Sequence, residues 1–155
     1  MTDIPAAAGK DVSLYESEPL TDDLGIWPSI ISDGQVCDIV ARGPPQQNES
    51  YEFPFNEERR RFTSSNFYRT MANGEKIRRS WLMYSVQKDA IFCFCCKLFG
   101  TGDIPIHRGT SAWKALSKRL QQHETGKGHQ DCMVKCNARS LDYDALIKQF
   151  AENKA

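Results

Sequence analysis

The feature that most constrains this chain is a set of thiol and imidazole side chains between residues 93 and 129. Cys93 and Cys96 stand at C-x-x-C spacing, and His123 and His129 follow after an intervening segment. Thiolate and imidazole are ligands that zinc prefers, and structural zinc sites are closed by four of them in a tetrahedron. The spacing therefore predicts one Zn2+ ion bound by Cys93, Cys96, His123 and His129.

Two other cysteines compete for places in this site. Cys95 lies between the two predicted thiolate ligands, and Cys132 follows His129 closely enough to take the fourth position. Whether Cys95 or Cys132 replaces one of the four ligands stays open from the sequence. Cys37 and Cys136, and on balance Cys95 as well, are better explained as small core or surface residues. His107 lies in the loop and is expected to be a surface histidine.

The residues around these ligands predict a β-hairpin followed by a helix. Strand-favouring side chains fill residues 76–94 on both sides of a turn at 87–89, which places the cysteines at the end of the second strand. Residues 98–108 read as a loop. A helix is then expected, capped by Thr110 or Ser111 and ended by Gly126 and Gly128. The spacing puts one set of side chains on a shared face of that helix: Trp113, Leu116, Leu120 and His123.

The fold class expected from these elements is α+β, a small zinc-stapled β-hairpin plus helix module with a partly disordered N-terminal leader. Residues 1–50 form the acidic leader, largely disordered, with a short ordered arm at 25–42. The domain covers 51–135, and Asn56 is expected to cap a helix near its start. Residues 136–155 form a weakly helical tail, whose apolar stripe comprises Tyr143, Leu146, Ile147 and Phe150.

The zero net charge of the chain conceals a division between an acidic and a basic part. Residues 1–53 carry 2 Lys/Arg and 10 Asp/Glu, whereas residues 54–136 carry 15 and 7. A net charge of +8 around the zinc ligands points to DNA as a partner of this part. The predicted contacts are the exposed helix face, a following lysine and two arginines near the hairpin: Lys114, Lys118, Gln121, Gln122, Lys127, Arg78 and Arg79.

Several other classes of protein are disfavoured by the sequence. No apolar run is long enough for a membrane span, and the N-terminus lacks the regions of a signal peptide. An intracellular, reducing location is therefore expected, where clustered cysteines bind metal more often than they form disulfides. We predict no enzyme and no small-molecule substrate, because four ligands close the site and Gly100, Gly102 and Pro105 replace the helix of a redox motif.

Several motifs together resemble a TTF-type zinc finger, a domain of hAT-type transposases and of host proteins derived from them. They are WLMYS, IFCFCCKLFG, GTSAWKAL and HETGKGH, preceded by GIWPSIISD, ARGPPQ and FNEERRRF. The resemblance is closest to zinc finger MYM-type proteins. It implies the same four zinc ligands, a nuclear location and DNA binding. Family members usually continue into a transposase region, so the chain reads as truncated before it.

A second hypothesis gives the zinc module a different partner. In that case zinc only builds a scaffold in a transcription or chromatin complex, and the acidic leader or the segment around Trp27 docks a protein. DNA binding depends steeply on salt, whereas docking through an apolar segment does not. Salt dependence therefore separates the two hypotheses.

Overall fold

The computed structural model describes residues 18–101 and 104–154, and for residues 142–147 and 150–154 it describes the backbone alone. Residues 1–17 of the leader that was expected to be largely disordered lie outside the described residues. The apolar stripe expected of the tail rests on side chains that are likewise outside the description: Tyr143, Leu146, Ile147 and Phe150. No helix in the described residues combines the length and the apolar character needed to cross a bilayer.

The described chain is a mixed helix and sheet structure, as the sequence predicts. Its strands form two separate antiparallel hairpins, β1–β2 and β3–β4. The strands are β1 (Tyr68–Thr70), β2 (Lys76–Arg78), β3 (Leu82–Ser85) and β4 (Ala90–Cys93). The helices are α1 (Asp33–Arg42), α2 (Phe94–Phe99), α3 (Pro105–Arg108), α4 (Leu116–Thr125) and α5 (Lys127–Lys154).

The β3–β4 hairpin lies at the centre of the molecule and carries the first cysteine. Leu82 pairs with Cys93 and Ser85 with Ala90. The turn therefore lies between Ser85 and Ala90, where the strand pattern predicts it. All eight strand residues are buried, because α2, α3 and the N-terminal segment pack against the hairpin. Strand β2 does not join this hairpin but pairs with β1.

The helix expected after Asn56 is absent from the described residues. The side-chain oxygen of Asn56 accepts hydrogen bonds from the backbone N–H groups of Glu58 and Arg60, both at 2.9 Å. The backbone N–H of Asn56 donates to the Arg60 carbonyl, and Arg59 has a φ of 61°. The asparagine therefore closes a tight loop, because its side chain competes with helical hydrogen bonding.

The boundaries of α4 also differ from the sequence prediction. Thr110 does not cap the helix but exchanges backbone hydrogen bonds with Ile91 at the hairpin edge. The helix begins only at Leu116, after Ala115 in a left-handed conformation. Gly126 ends it as predicted, whereas Gly128 lies within α5. The predicted loop at 98–108 contains the end of α2 and all of α3.

The N-terminal segment from Leu20 onward packs into the same core as the hairpin. Helix α1 starts with a capping box formed by Ser32 and Gln35, and it contacts α5. The Trp27 ring meets Phe94 edge-on at 6.3 Å between centroids, and its indole N–H donates to the Thr21 carbonyl at 2.7 Å. Residues 25–42 are therefore an ordered arm, and the core extends to the N-terminal side of residue 51.

Candidate metal centre

Four elements bring the four predicted zinc ligands to one place. Cys93 ends β4, Cys96 lies in the first turn of α2, His123 in the last turn of α4, and His129 in the first turn of α5. Their ligand atoms all lie within 4.8 Å of one another. Because α4 and α5 are separated only by Gly126, the turn between them lets both imidazoles face the cysteines.

The distances between these atoms test whether the residues fit zinc. Cys93 Sγ lies 3.4 Å from His129 Nδ1, and Cys96 Sγ lies 3.5 Å from His123 Nε2 and 3.7 Å from His129 Nδ1. Ordinary Zn–S and Zn–N bonds in a tetrahedron place sulfur and nitrogen about 3.6 Å apart. The two thiols and two imidazoles therefore fit a tetrahedral zinc ion in donor type and in spacing.

The cluster is shielded from water on most sides. Cys93, Cys96 and His129 are buried, and His123 is half-buried. The Trp81 ring lies against both imidazoles, 5.3 Å from the His123 ring and 4.8 Å from the His129 ring. The environment is that of a structural metal site, in which the ligands also join separate elements of the fold.

The two cysteines differ in their acidity. A hydrogen bond from the Cys93 thiol lowers the pKa of Cys96 below its ordinary value, and hydrogen bonds from the two histidines lower it further. Burial raises the pKa of Cys93 above its ordinary value, and its neighbour Cys96 raises it further. Because zinc binds thiolates, both cysteines must be deprotonated in the metal-loaded site.

The two competing cysteines lie beside the cluster and outside it. The Cys95 thiol faces Cys136 of α5, and this hydrogen bond together with burial raises the pKa of Cys95. Cys132 lies one turn beyond His129, where burial is the main cause that raises its pKa to about 11. Neither thiol belongs to the group of four ligand atoms, which leaves both as neighbours of the proposed ligands.

Serine at position 95 provides a direct check on this distinction. We expect Cys95→Ser to retain one zinc ion per chain, because the Cys95 sulfur is directed to Cys136 rather than to the cluster. Native mass spectrometry with and without chelator measures the zinc content. Cys96→Ser is the matched control and should lose the metal, whereas loss of zinc from the Cys95 variant would assign that cysteine as a ligand.

The remaining cysteine and histidine candidates have separate surroundings. Cys37 is exposed on α1, and Cys136 is buried on α5. His107 is half-buried in α3 rather than fully exposed, and its ring packs so closely on Gly100 that a Cβ there would lie 2.4 Å from its Cε1 atom. His107 shares a cavity of about 270 Å³ with His123 and His129 but does not belong to the ligand group.

Most residues of the predicted basic surface are exposed. Lys118, Gln121 and Gln122 lie on the side of α4 opposite its buried Leu116 and Leu120. Lys114 is exposed just before the helix. Lys127, in the first turn of α5, forms an ion pair with Asp131 at 3.1 Å.

The two arginines placed on that surface by the sequence are engaged inside the protein. Arg79 is only 4% exposed and binds both carboxylate oxygens of Glu124, at 3.0 and 2.9 Å. Arg78 is half-buried, forms an ion pair with Glu49 and covers the Phe67 ring. The expectation of an exposed Arg79 is wrong, because the side chain is buried against Glu124. The sequence did not indicate this, because Glu124 lies far along the chain and no local pattern connects the two residues.

The chain is similar in sequence to three curated proteins. Zinc finger MYM-type protein 5 from Homo sapiens is 37% identical over 138 residues, which are 88% of this chain and 19% of that protein. The proteins of that name from Macaca fascicularis and Mus musculus are 36% and 34% identical, over 88% and 84% of this chain and 20% and 21% of their own lengths. The chain thus spans about a fifth of the length of the curated relatives it matches. No family model and no solved structure matches it.

The relatives and the geometry agree on the metal. The relatives carry a zinc finger in their names, and this chain places two thiols and two imidazoles within reach of one ion. The donor set is one that zinc prefers. Zn2+ is therefore the cofactor of this chain.

Proposed function

From its homology to the zinc finger MYM-type proteins, we propose that the chain is a zinc-dependent DNA-binding module of a transposase-derived nuclear protein. In this proposal Cys93, Cys96, His123 and His129 are the zinc ligands of a TTF-type finger within residues 51–135. The metal is structural, and neither it nor the chain performs catalysis. DNA is bound by the surface that the metal holds in place.

The observation that carries this proposal is the orientation of α4. One side of the helix is buried through Leu116 and Leu120, while Lys118, Gln121 and Gln122 point to solvent on the other side. Lysine attracts phosphates irrespective of sequence, and glutamine amides can hydrogen-bond to base edges in the major groove. An exposed helix face with both residue types suits a groove of duplex DNA.

Zinc supports this face because α4 cannot be stable by itself. The helix has ten residues, and isolated helices of that length are marginal in water. His123 fastens its last turn to the metal cluster, and the buried Glu124 fastens it to Arg79. We therefore expect DNA affinity to fall when zinc is removed.

Removing two lysines tests the proposed surface. The double variant Lys114→Ala, Lys118→Ala is expected to bind duplex DNA more weakly, and the slope of log affinity against log salt should decrease by about 2, since two phosphate contacts are lost. Fluorescence anisotropy over a salt series measures both quantities. Zinc content should remain at one ion per chain. Lys88→Ala, an exposed lysine in the turn of the β3–β4 hairpin, is the control. Unchanged affinity of the double variant at low salt would show that this face does not bind DNA.

A protein-interaction scaffold is the second candidate, favoured by one observation. Ile26 and Ile30 are 50% and 84% exposed in the arm, although Trp27 between them is buried in the core. Exposed isoleucines beside acidic residues suit docking to a protein of a transcription or chromatin complex. Such binding would be insensitive to the two lysine substitutions and only weakly sensitive to salt.

A further inference from the structure

An ion pair buried beside the metal cluster joins the segment before β3 to the end of α4, next to His123. Arg79 and Glu124 are each only 4% exposed. The Nε and Nη2 atoms of Arg79 donate to the two oxygens of Glu124, and Nη1 donates to the carbonyl oxygens of Asn66 and Tyr68 at 3.0 Å. The pair is thus bidentate, and Arg79 also connects the start of β1 to the end of α4.

Glu124 contacts both histidine-bearing segments through the chain itself. It follows His123 directly, so the bond to Arg79 restrains the backbone of that ligand. Its carbonyl oxygen accepts a hydrogen bond from the Gln130 side chain at 2.6 Å, and Gln130 directly follows His129. One residue therefore restrains the last turn of α4 and the first turn of α5.

Arg79 is connected to the same histidines through Trp81. Two residues after it, Trp81 packs its ring against both imidazoles, and the Trp81 carbonyl accepts from the backbone N–H of Phe94, which lies between the two cysteine ligands. The backbone N–H of Arg79 donates to the Phe67 carbonyl at 2.6 Å. Movement of Arg79 would therefore displace Trp81 together with Glu124.

Burying two charges is expensive, and a buried pair is weak evidence for stability because apolar residues often replace it without loss. The position of the pair beside the two histidines points instead to a role in their geometry. We propose that Arg79 and Glu124 are positioning residues that set His123 and His129 at the spacing zinc requires. This inference rests on the proposed ligand set.

The test compares metal binding in Glu124→Gln and Arg79→Lys with the unchanged protein. Each variant should weaken zinc binding by about 10–100-fold, the usual loss when groups that orient metal ligands are altered. Chelator competition measures the dissociation constant. The visible spectrum of the Co2+-loaded protein reports ligand geometry, and at saturating Co2+ we expect its bands to shift or weaken in both variants.

A neighbouring ion pair provides a matched control. Arg78 and Glu49 form a half-buried pair beside Arg79 that contacts neither histidine. Glu49→Gln should leave zinc affinity and the Co2+ spectrum unchanged. A purely structural role for the Arg79–Glu124 pair predicts that Glu124→Gln leaves the Co2+ spectrum at saturating metal as in the control, and that result would overturn the proposal.

A milder variant keeps the proposal testable where a buried substitution prevents folding. Gln130 is exposed, so Gln130→Ala should fold and lose only the hydrogen bond to the Glu124 carbonyl. We expect a smaller loss of zinc affinity with a changed Co2+ spectrum. An unchanged spectrum here contradicts positioning of His129 through Glu124. Absence of metal binding by the unchanged protein would instead refute the ligand set itself.

Discussion

Replacing Cys93 with alanine should unfold the β3–β4 hairpin and the helices around it, roughly residues 75–132, rather than weaken a single contact, because metal binding is coupled to folding. Cys93 ends β4, pairs with Leu82 and accepts the backbone N–H of Cys96 at the start of α2. Zinc binding contributes about 10–16 kcal/mol in zinc-finger peptides, which is comparable to the whole stability of a small domain. Far-ultraviolet circular dichroism should show a large loss of helix.

Chelation of zinc from the unchanged protein should give the same loss of helical signal. Cys37→Ala is the control for the Cys93 variant and should keep its helical signal, because Cys37 is exposed and lies outside the ligand group. If chelator leaves the helical circular dichroism intact, the core alone holds the fold and the coupling of zinc to folding is refuted.

Replacing Trp27 with alanine is expected to lower the free energy of unfolding of the zinc-loaded protein by about 3–5 kcal/mol, the usual cost of removing a buried tryptophan. The ring is only 8% exposed and packs on Phe94, and its indole N–H is bonded to Thr21. Urea denaturation at saturating zinc measures the change. The result reports whether the arm stabilises the module that holds the metal.

Ile30→Ala is the matched control within the same arm. Ile30 is 84% exposed, so its replacement should change the free energy of unfolding by less than about 0.5 kcal/mol. Equal effects of the two substitutions would mean that the arm does not contribute to the core. A loss of partner binding by the Ile30 variant without a loss of stability would favour the protein-interaction candidate.

Local sequence patterns predicted the β3–β4 hairpin, the end of α4 and the cluster of cysteines and histidines. The C-x-x-C spacing and the two histidines selected the four side chains that the fold brings together. The alternation of strand-favouring residues located the β3–β4 hairpin, because hairpin pairing joins residues close in sequence. Gly126 ends α4 for a similarly local reason.

Contacts between segments that lie far apart in the chain could not be predicted from local sequence patterns. The partner of Arg79 is Glu124, and a surface reading of the arginine was wrong because a charge far along the chain decides its burial. Threonine is a common helix N-cap residue, yet Thr110 pairs with Ile91 at the edge of the hairpin. Trp27 reads equally well as a docking residue or as a core residue until Phe94 is placed beside it.

The metal site lies at the turn between α4 and α5, so its geometry affects the angle between the two helices. His123 and His129 lie on either side of Gly126, and α5 continues for 28 residues, or about 42 Å. A rotation of one degree at its first turn would move the far end by about 0.7 Å. The helix also contacts α1 and α2. Zinc therefore helps to fix the direction in which the C-terminal end of α5 leaves the module.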